Sequence, residues 1–149
     1  MVTTHDLPRW LPTVNRLVKA LHRLRLPLGT IHVLTLPGRS SGEPRATPVS
    51  PLTVDGRHYV VAALAEADWA RNARVAGHGD LASRGRSRAV TLVEVTEPGV
   101  RRAVMRAFPT EVPHGVPFFV RLGLVHGADP DEFAAAADAV AVFELCDAP

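Results

Sequence analysis

Nine residues between two β-rich runs, Pro37-Gly38-Arg39-Ser40-Ser41-Gly42-Glu43-Pro44-Arg45, hold the side chains of this chain best suited to chemistry. The two arginines can fork onto phosphate or carboxylate. The serine hydroxyls and exposed amides can donate hydrogen bonds, and the glycines let the backbone turn and approach a ligand closely. The connection is longer than a tight hairpin needs. A loop of this composition at the end of a sheet can receive an anion. The same composition suits a solvated hairpin loop with no ligand, and the residues alone leave both readings open.

Other local chemistry is missing. The seven histidines form no H-x-x-x-H or H-E-x-x-H spacing, so no metal set is expected. There is no G-x-S-x-G, no P-loop and no G-x-G-x-x-G. The lone Cys146 excludes an internal disulfide, suits a reducing compartment and reads as a small hydrophobe in the last strand. This silence fits a protein whose cofactor carries the reaction.

Composition excludes further classes. The basic residues are sixteen Arg and one Lys, but the net charge is only +2 and no basic run is interleaved with aromatics, so no nucleic-acid partner is expected. No apolar run approaches the ~20 residues that cross a bilayer. The N-terminus has prolines and charges where a signal peptide would have its apolar region. A cytoplasmic protein of one domain, residues 1–149, is the expectation.

The elements that must position the loop read as follows. Residues 1–12 suit an extended arm. A helix is expected over 13–26, from Thr13 as N-cap to the stop at Pro27. Its apolar stripe of Val14, Leu17, Val18, Leu21 and Leu24 suits packing on a sheet. Its basic residues leave open a peripheral contact with anionic lipid. Strands are expected at Thr30–Leu36, Ala46–Val54 and Arg57–Leu64, the last two joined by the turn dipeptide Asp55-Gly56. Pro48 and Pro51 imply that the second strand is bent, bulged or at an edge.

A helix over Asp68–Ala76 should end at Gly77. It places Trp69, Asn72, Ala73 and Ala76 on one face, with Trp69 in the core and Asn72 bonded to the backbone of the Ala62–Asp68 segment. A hairpin turning near Gly85 follows, with Val90–Val95 buried on most of both faces. Further helices are expected over Glu97–Phe108, stopped by Pro109, around Phe118 and Phe119, and from Asp129 to Asp138. Val140–Leu145 is a last strand. Six strands with mostly hairpin connections and flanking helices make an α+β protein, mainly antiparallel and barrel-like.

The pattern T-x-x-G-R-x-S-G-x-x-R-x-x-P, at Thr35 to Pro48, resembles the deazaflavin-dependent nitroreductase family, and W-x-x-N at Trp69 and Asn72 is a second, weaker match. The order of elements agrees over roughly 13 to 145. The resemblance implies a six-stranded split β-barrel and the deazaflavin coenzyme F-420. The activity implied is hydride delivery to a quinone, nitro compound or other electron-poor acceptor. It further implies that Arg39 and Arg45 neutralise the coenzyme phosphate, that Ser40, Ser41 and Gly42 bond it, and that Pro48, Val49, Ala62, Ala63 and Leu64 border the ring, with Trp69 and Asn72 shaping the cleft. No side chain is implied as acid or base. Two features depart from the family pattern: Ser40 stands where a Lys is usual, and Ala62–Glu66, ending in an acid, replaces a Ser/Gly-rich loop. Both work against an acidic ligand. An FMN-binding split barrel and a non-catalytic binder of a lipid or other small molecule are the alternatives.

Overall fold

The structure, a computed structural model, describes residues 31–149. The arm expected over 1–12 and the helix expected over 13–26 lie outside the described residues, as does the membrane contact that helix would make.

The chain runs through β1 (His32–Pro37), β2 (Pro44–Val49), β3 (Leu52–Val54) and β4 (Arg57–Ala62), then α1 (Asp68–Ala76), β5 (His78–Ser83) and β6 (Arg86–Glu94). It continues through α2 (Pro98–Glu111), a 3-10 turn (Pro113–Gly115), α3 (Val116–Arg121), α4 (Pro130–Ala135), a second 3-10 turn (Ala137–Ala139) and β7 (Ala141–Asp147). All pairings are antiparallel, in one seven-stranded sheet of order β2-β1-β5-β6-β7-β4-β3. The fold is a split β-barrel with flanking helices.

Seven strands appear where six were expected because the second run is cut at Ser50-Pro51. Proline has no amide to give a ladder. The first half of the run, β2, pairs with β1, and the second half, β3, pairs with β4 at Leu52↔Tyr59 and Val54↔Arg57. One stretch of chain therefore carries both edges of the sheet. Beyond Tyr59, β4 has no strand on that side among the described residues, and a gap opens there between the ends of β2 and β4.

Two apolar clusters follow from strand alternation. Leu34, Leu36, Val60, Leu81, Val90, Leu92, Phe143 and Leu145 form one, covered by Ala70 and Ala73 of α1. Tyr59, Val140 and Val142 point to the other, where α2, α3 and α4 pack through Val104, Met105, Phe108, Phe119 and Phe133. The three phenylalanines stack or tilt on one another at 4.9–5.6 Å between ring centres. So β4 and β7 are buried on both faces.

Several boundaries differ from the expectation. The helix α2 runs through Pro109 to Glu111, because a proline in the last turn removes one bond without ending the packing of Phe108 and Pro109. On β6, Val93 is 58% exposed, so this strand buries one face rather than two. Cys146 lies in β7 as expected but is exposed.

Gly79 of β5 is held where a Cβ would lie 2.6 Å from the Thr35 carbonyl oxygen and 2.7 Å from Leu36 Cδ2. Backbone cannot retreat as a side chain can. Gly79→Ala should therefore destabilise the protein by about 1–3 kcal/mol, the usual cost of overpacking. Gly127→Ala, where nothing lies within 4 Å, should stay within ~0.5 kcal/mol. Urea denaturation of the two variants checks the contrast.

Candidate functional site

Two cavities meet beside the split. The first, of about 560 Å³, is polar and is lined by the loop after β1, the start of β2 and the first turns of α1: Gly38, Arg39, Ser40, Ser41, Arg45, Thr47, Asp68, Trp69 and Asn72 are among its walls. The second, of about 420 Å³, is mainly apolar. Thr47–Ser50 form one wall and Val61–Leu64 the other, with Phe108, Val112, Phe118 and Phe119 behind. Thr47 and Trp69 line both. Each has the size of a ligand pocket. The second occupies the gap that the broken strand leaves between β2 and β4.

The loop is shaped from within and anchored from outside. The Gly38 amide donates to the Glu43 carbonyl at 2.8 Å, the Gly42 amide to the Gly38 carbonyl at 2.8 Å, and the Glu43 amide to Ser41 Oγ at 3.1 Å. The Gly42 amide is therefore engaged inside the loop, and Gly42 is not among the cavity walls, unlike the expectation for it. Ser40 makes no hydrogen bond among the described residues.

Asn72 provides the outside anchor. It is 4% exposed, and its Oδ1 accepts from the Arg39 amide at 3.1 Å and from Arg39 Nη1 at 2.9 Å. Its partner is thus the Arg39 loop, not the backbone of Ala62–Asp68 as expected. Arg39 Nη2 also donates to Asp68 Oδ1 at 3.2 Å. The sequence reading missed Asp68 as a member of the site. Its signal was its place at the start of the helix that presents Trp69 and Asn72. Trp69, expected to be largely buried, is half-buried, packed on Phe143 with 5.7 Å between ring centres and lining both cavities.

The twelve residues singled out from the sequence are largely brought together. Arg39, Ser40, Ser41 and Arg45 fall in the polar cavity, Pro48, Val49, Ala62, Ala63 and Leu64 in the apolar one, Trp69 in both, and Asn72 in the polar one. Arg45 is exposed and has no ion pair among the described residues. Glu66 lies apart from the polar cavity. It borders a shallow depression with Leu122 and Leu124 and pairs with Arg74 at 3.7 Å.

Arg74 ties the end of α1 to β6 and to the segment after β4. Its Nε and Nη2 hold Glu94 at 2.9–3.1 Å, Nη2 also donates to the Ala65 carbonyl at 2.8 Å, and its guanidinium lies 5.9 Å from the centre of the Phe143 ring. The hydrogen bonds to Glu94 keep this guanidinium more firmly protonated than an ordinary arginine.

A family model described as F420H(2)-dependent quinone reductase matches residues 13–115. No curated protein matches the chain. Among solved structures, one described as a domain-swapped dimer is 14% identical with a TM-score of 0.56, over 90% of this chain and 99% of that one. A NimC/NimA family protein from Clostridium acetobutylicum is 12% identical with a TM-score of 0.52, over 99% and 94%. A protein from the same organism related to general stress protein 26, of the pyridoxinephosphate oxidase family, is 11% identical with a TM-score of 0.51, over 93% and 83%. At such identities the likeness is one of fold.

Removing the Asn72 acceptor should release the loop. Asn72→Leu leaves two Arg39 donors unsatisfied and should cost about 1–3 kcal/mol. The amides of residues 39–42 should exchange with deuterium faster in this variant, read by mass spectrometry, while those of β6 and β7 change little.

Proposed function

The chain belongs to the F420H(2)-dependent quinone reductase family, and on that premise we propose that it is an oxidoreductase that binds reduced deazaflavin coenzyme and reduces a quinone-like acceptor. One observation carries the reading: a cationic, hydrogen-bonding cavity opens past Thr47 and Trp69 directly into a narrow apolar one. An amphiphile with an anionic tail and a flat ring matches that pair of compartments. A simple apolar binder needs no arginines there, and a simple anion site needs no apolar slot.

The residues fit the coenzyme. Arg45, with no acidic partner of its own, and Arg39, held in place by Asn72, take the phosphate and the acidic tail. Ser40 offers an uncommitted hydroxyl, and Ser41 stands beside it. Pro48, Val49, Ala62, Ala63 and Leu64 border the ring, and Trp69 closes the junction. The bound coenzyme supplies a hydride. The protein supplies position and a dry wall, with Phe108, Phe118 and Phe119 beside the place of an aromatic acceptor. The family description favours deazaflavin over FMN. The place of Glu66, paired with Arg74 outside the polar cavity, removes one objection to an acidic ligand.

A charge-assisted hydrogen bond to an anion contributes about 1.5–3 kcal/mol. Arg45→Ala should therefore weaken coenzyme F-420 binding roughly ten- to a hundred-fold, measured by absorbance titration. Arg39→Ala should do the same and also loosen the loop, since Asn72 keeps only the backbone amide of residue 39 and loses the guanidinium. Ser40→Lys adds a cation to the cavity and should tighten binding, with a gain that shrinks as salt rises. The reading is overturned if folded wild-type protein and Ser40→Lys both fail to bind the coenzyme.

A further inference from the structure

The apolar cavity has one hydrogen-bonded route to a titratable side chain among the described residues. Among the described residues, none of its wall residues is acidic, basic, a cysteine or a tyrosine. Its polar side chains are Thr47 and Trp69, at the junction with the cationic cavity, and Ser50. Ser50 Oγ lies 2.8 Å from His114 Nε2, although 64 residues separate the two in sequence. The His114 ring is exposed to solvent and has no ion pair among the described residues. It therefore joins water on one side to a hydroxyl in the cavity wall on the other.

The fold places this pair with some care. Ser50 stands at the break between β2 and β3, where it has no ladder partner. His114 sits in the 3-10 turn between α2 and α3. The next residue, Gly115, lies so close to the Phe108 ring that a Cβ would approach it to 2.9 Å. The turn is thus seated directly on the core, and His114 is carried to the rim of the split.

We infer that Ser50 and His114 form a proton relay for the acceptor, an inference that rests on the quinone-reductase reading. Reduction of a quinone to a hydroquinone adds two electrons and two hydrogens. The hydride brings both electrons and one hydrogen, which leaves one oxygen of the acceptor anionic and in need of a proton. Ser50 gives its hydroxyl proton to that oxygen and takes the proton on His114 Nε2. His114 starts as the imidazolium, is left neutral with its remaining proton on Nδ1, and takes a proton back on Nε2 from solvent once the product has left. Imidazole suits this work because it gains and loses a proton near neutral pH.

The test uses the full chain with coenzyme F-420 and 2-methyl-1,4-naphthoquinone as acceptor. His114→Gln and Ser50→Ala should each lower kcat by about a hundred-fold or more, while coenzyme affinity and the KM for quinone change less than about three-fold. Added imidazole should restore at least part of the rate to His114→Ala and none to Ser50→Ala. Independently of turnover, the His114 ring resonances should shift on titration with the quinone in wild-type protein and not in Ser50→Ala. Variants that keep kcat within two-fold overturn the relay. So does a wild-type His114 resonance that ignores the quinone, and that result decides the matter if wild-type protein shows no turnover. Absent turnover together with absent coenzyme binding instead overturns the enzymatic reading itself.

Discussion

A sheet has two edges, and here both belong to one stretch of chain. The run from Pro44 to Val54 pairs left through its first half and right through its second, with Ser50-Pro51 at the crossover. The barrel is closed by covalent continuity there rather than by a ladder of hydrogen bonds. Every other strand has two neighbours along at least part of its length. The apolar cavity is the direct result: where β2 and β4 part company, side chains of their ends face a space instead of each other. An unpaired strand edge is ordinarily an aggregation hazard. Set inside a split barrel and roofed by α2 and α3, it becomes a walled slot.

The helix α1 turns that slot into a two-part site. It is fastened at both ends by arginines of opposite provenance. Near its start it receives Arg39 from the loop, through Asn72 and Asp68. Near its end it sends Arg74 out to Glu94, Ala65 and Glu66. Exposed single ion pairs contribute little, but these are forked, partly buried and tied to backbone, and such bonds hold geometry better than their net energy suggests. The loop that follows β1 and the segment that follows β4 are thereby referred to one rigid helix.

Much of this was legible in the sequence. The turn dipeptide Asp55-Gly56, the helix Asp68–Ala76 with its glycine stop, and the Asp129 cap are local signals, and local signals read well. The grouping of Arg39 and Arg45 with a serine-rich turn was visible as composition. What escaped was set by distance. Asn72 bonds a residue 33 positions away, and Ser50 bonds one 64 positions away, so no spacing rule could join them. Glu66 looked adverse because its sign was readable and its direction was not. Trp69 was expected inside, as large aromatics usually are, yet a residue between a core and a cleft is neither buried nor exposed. The cut at Ser50-Pro51 was signalled by its prolines, but its effect on strand count depended on which neighbour each half would choose.

The position of β7 has a consequence for how the protein is made. It lies between β6 and β4, near the middle of the sheet order, yet it is synthesised after the six other strands of the described residues. On the ribosome, β1 and β2, β3 and β4, and β5 and β6 can each pair as local hairpins as soon as they emerge. Until β7 arrives, β4 and β6 present open edges to one another and to any other chain, and Phe143 is missing from the apolar cluster it fills. Local pairings form first and long-range ones last, so the nascent protein is a half-assembled sheet waiting for the stave that joins β6 to β4. In that interval it depends most on chaperones and is most exposed to capture by strands of neighbouring chains.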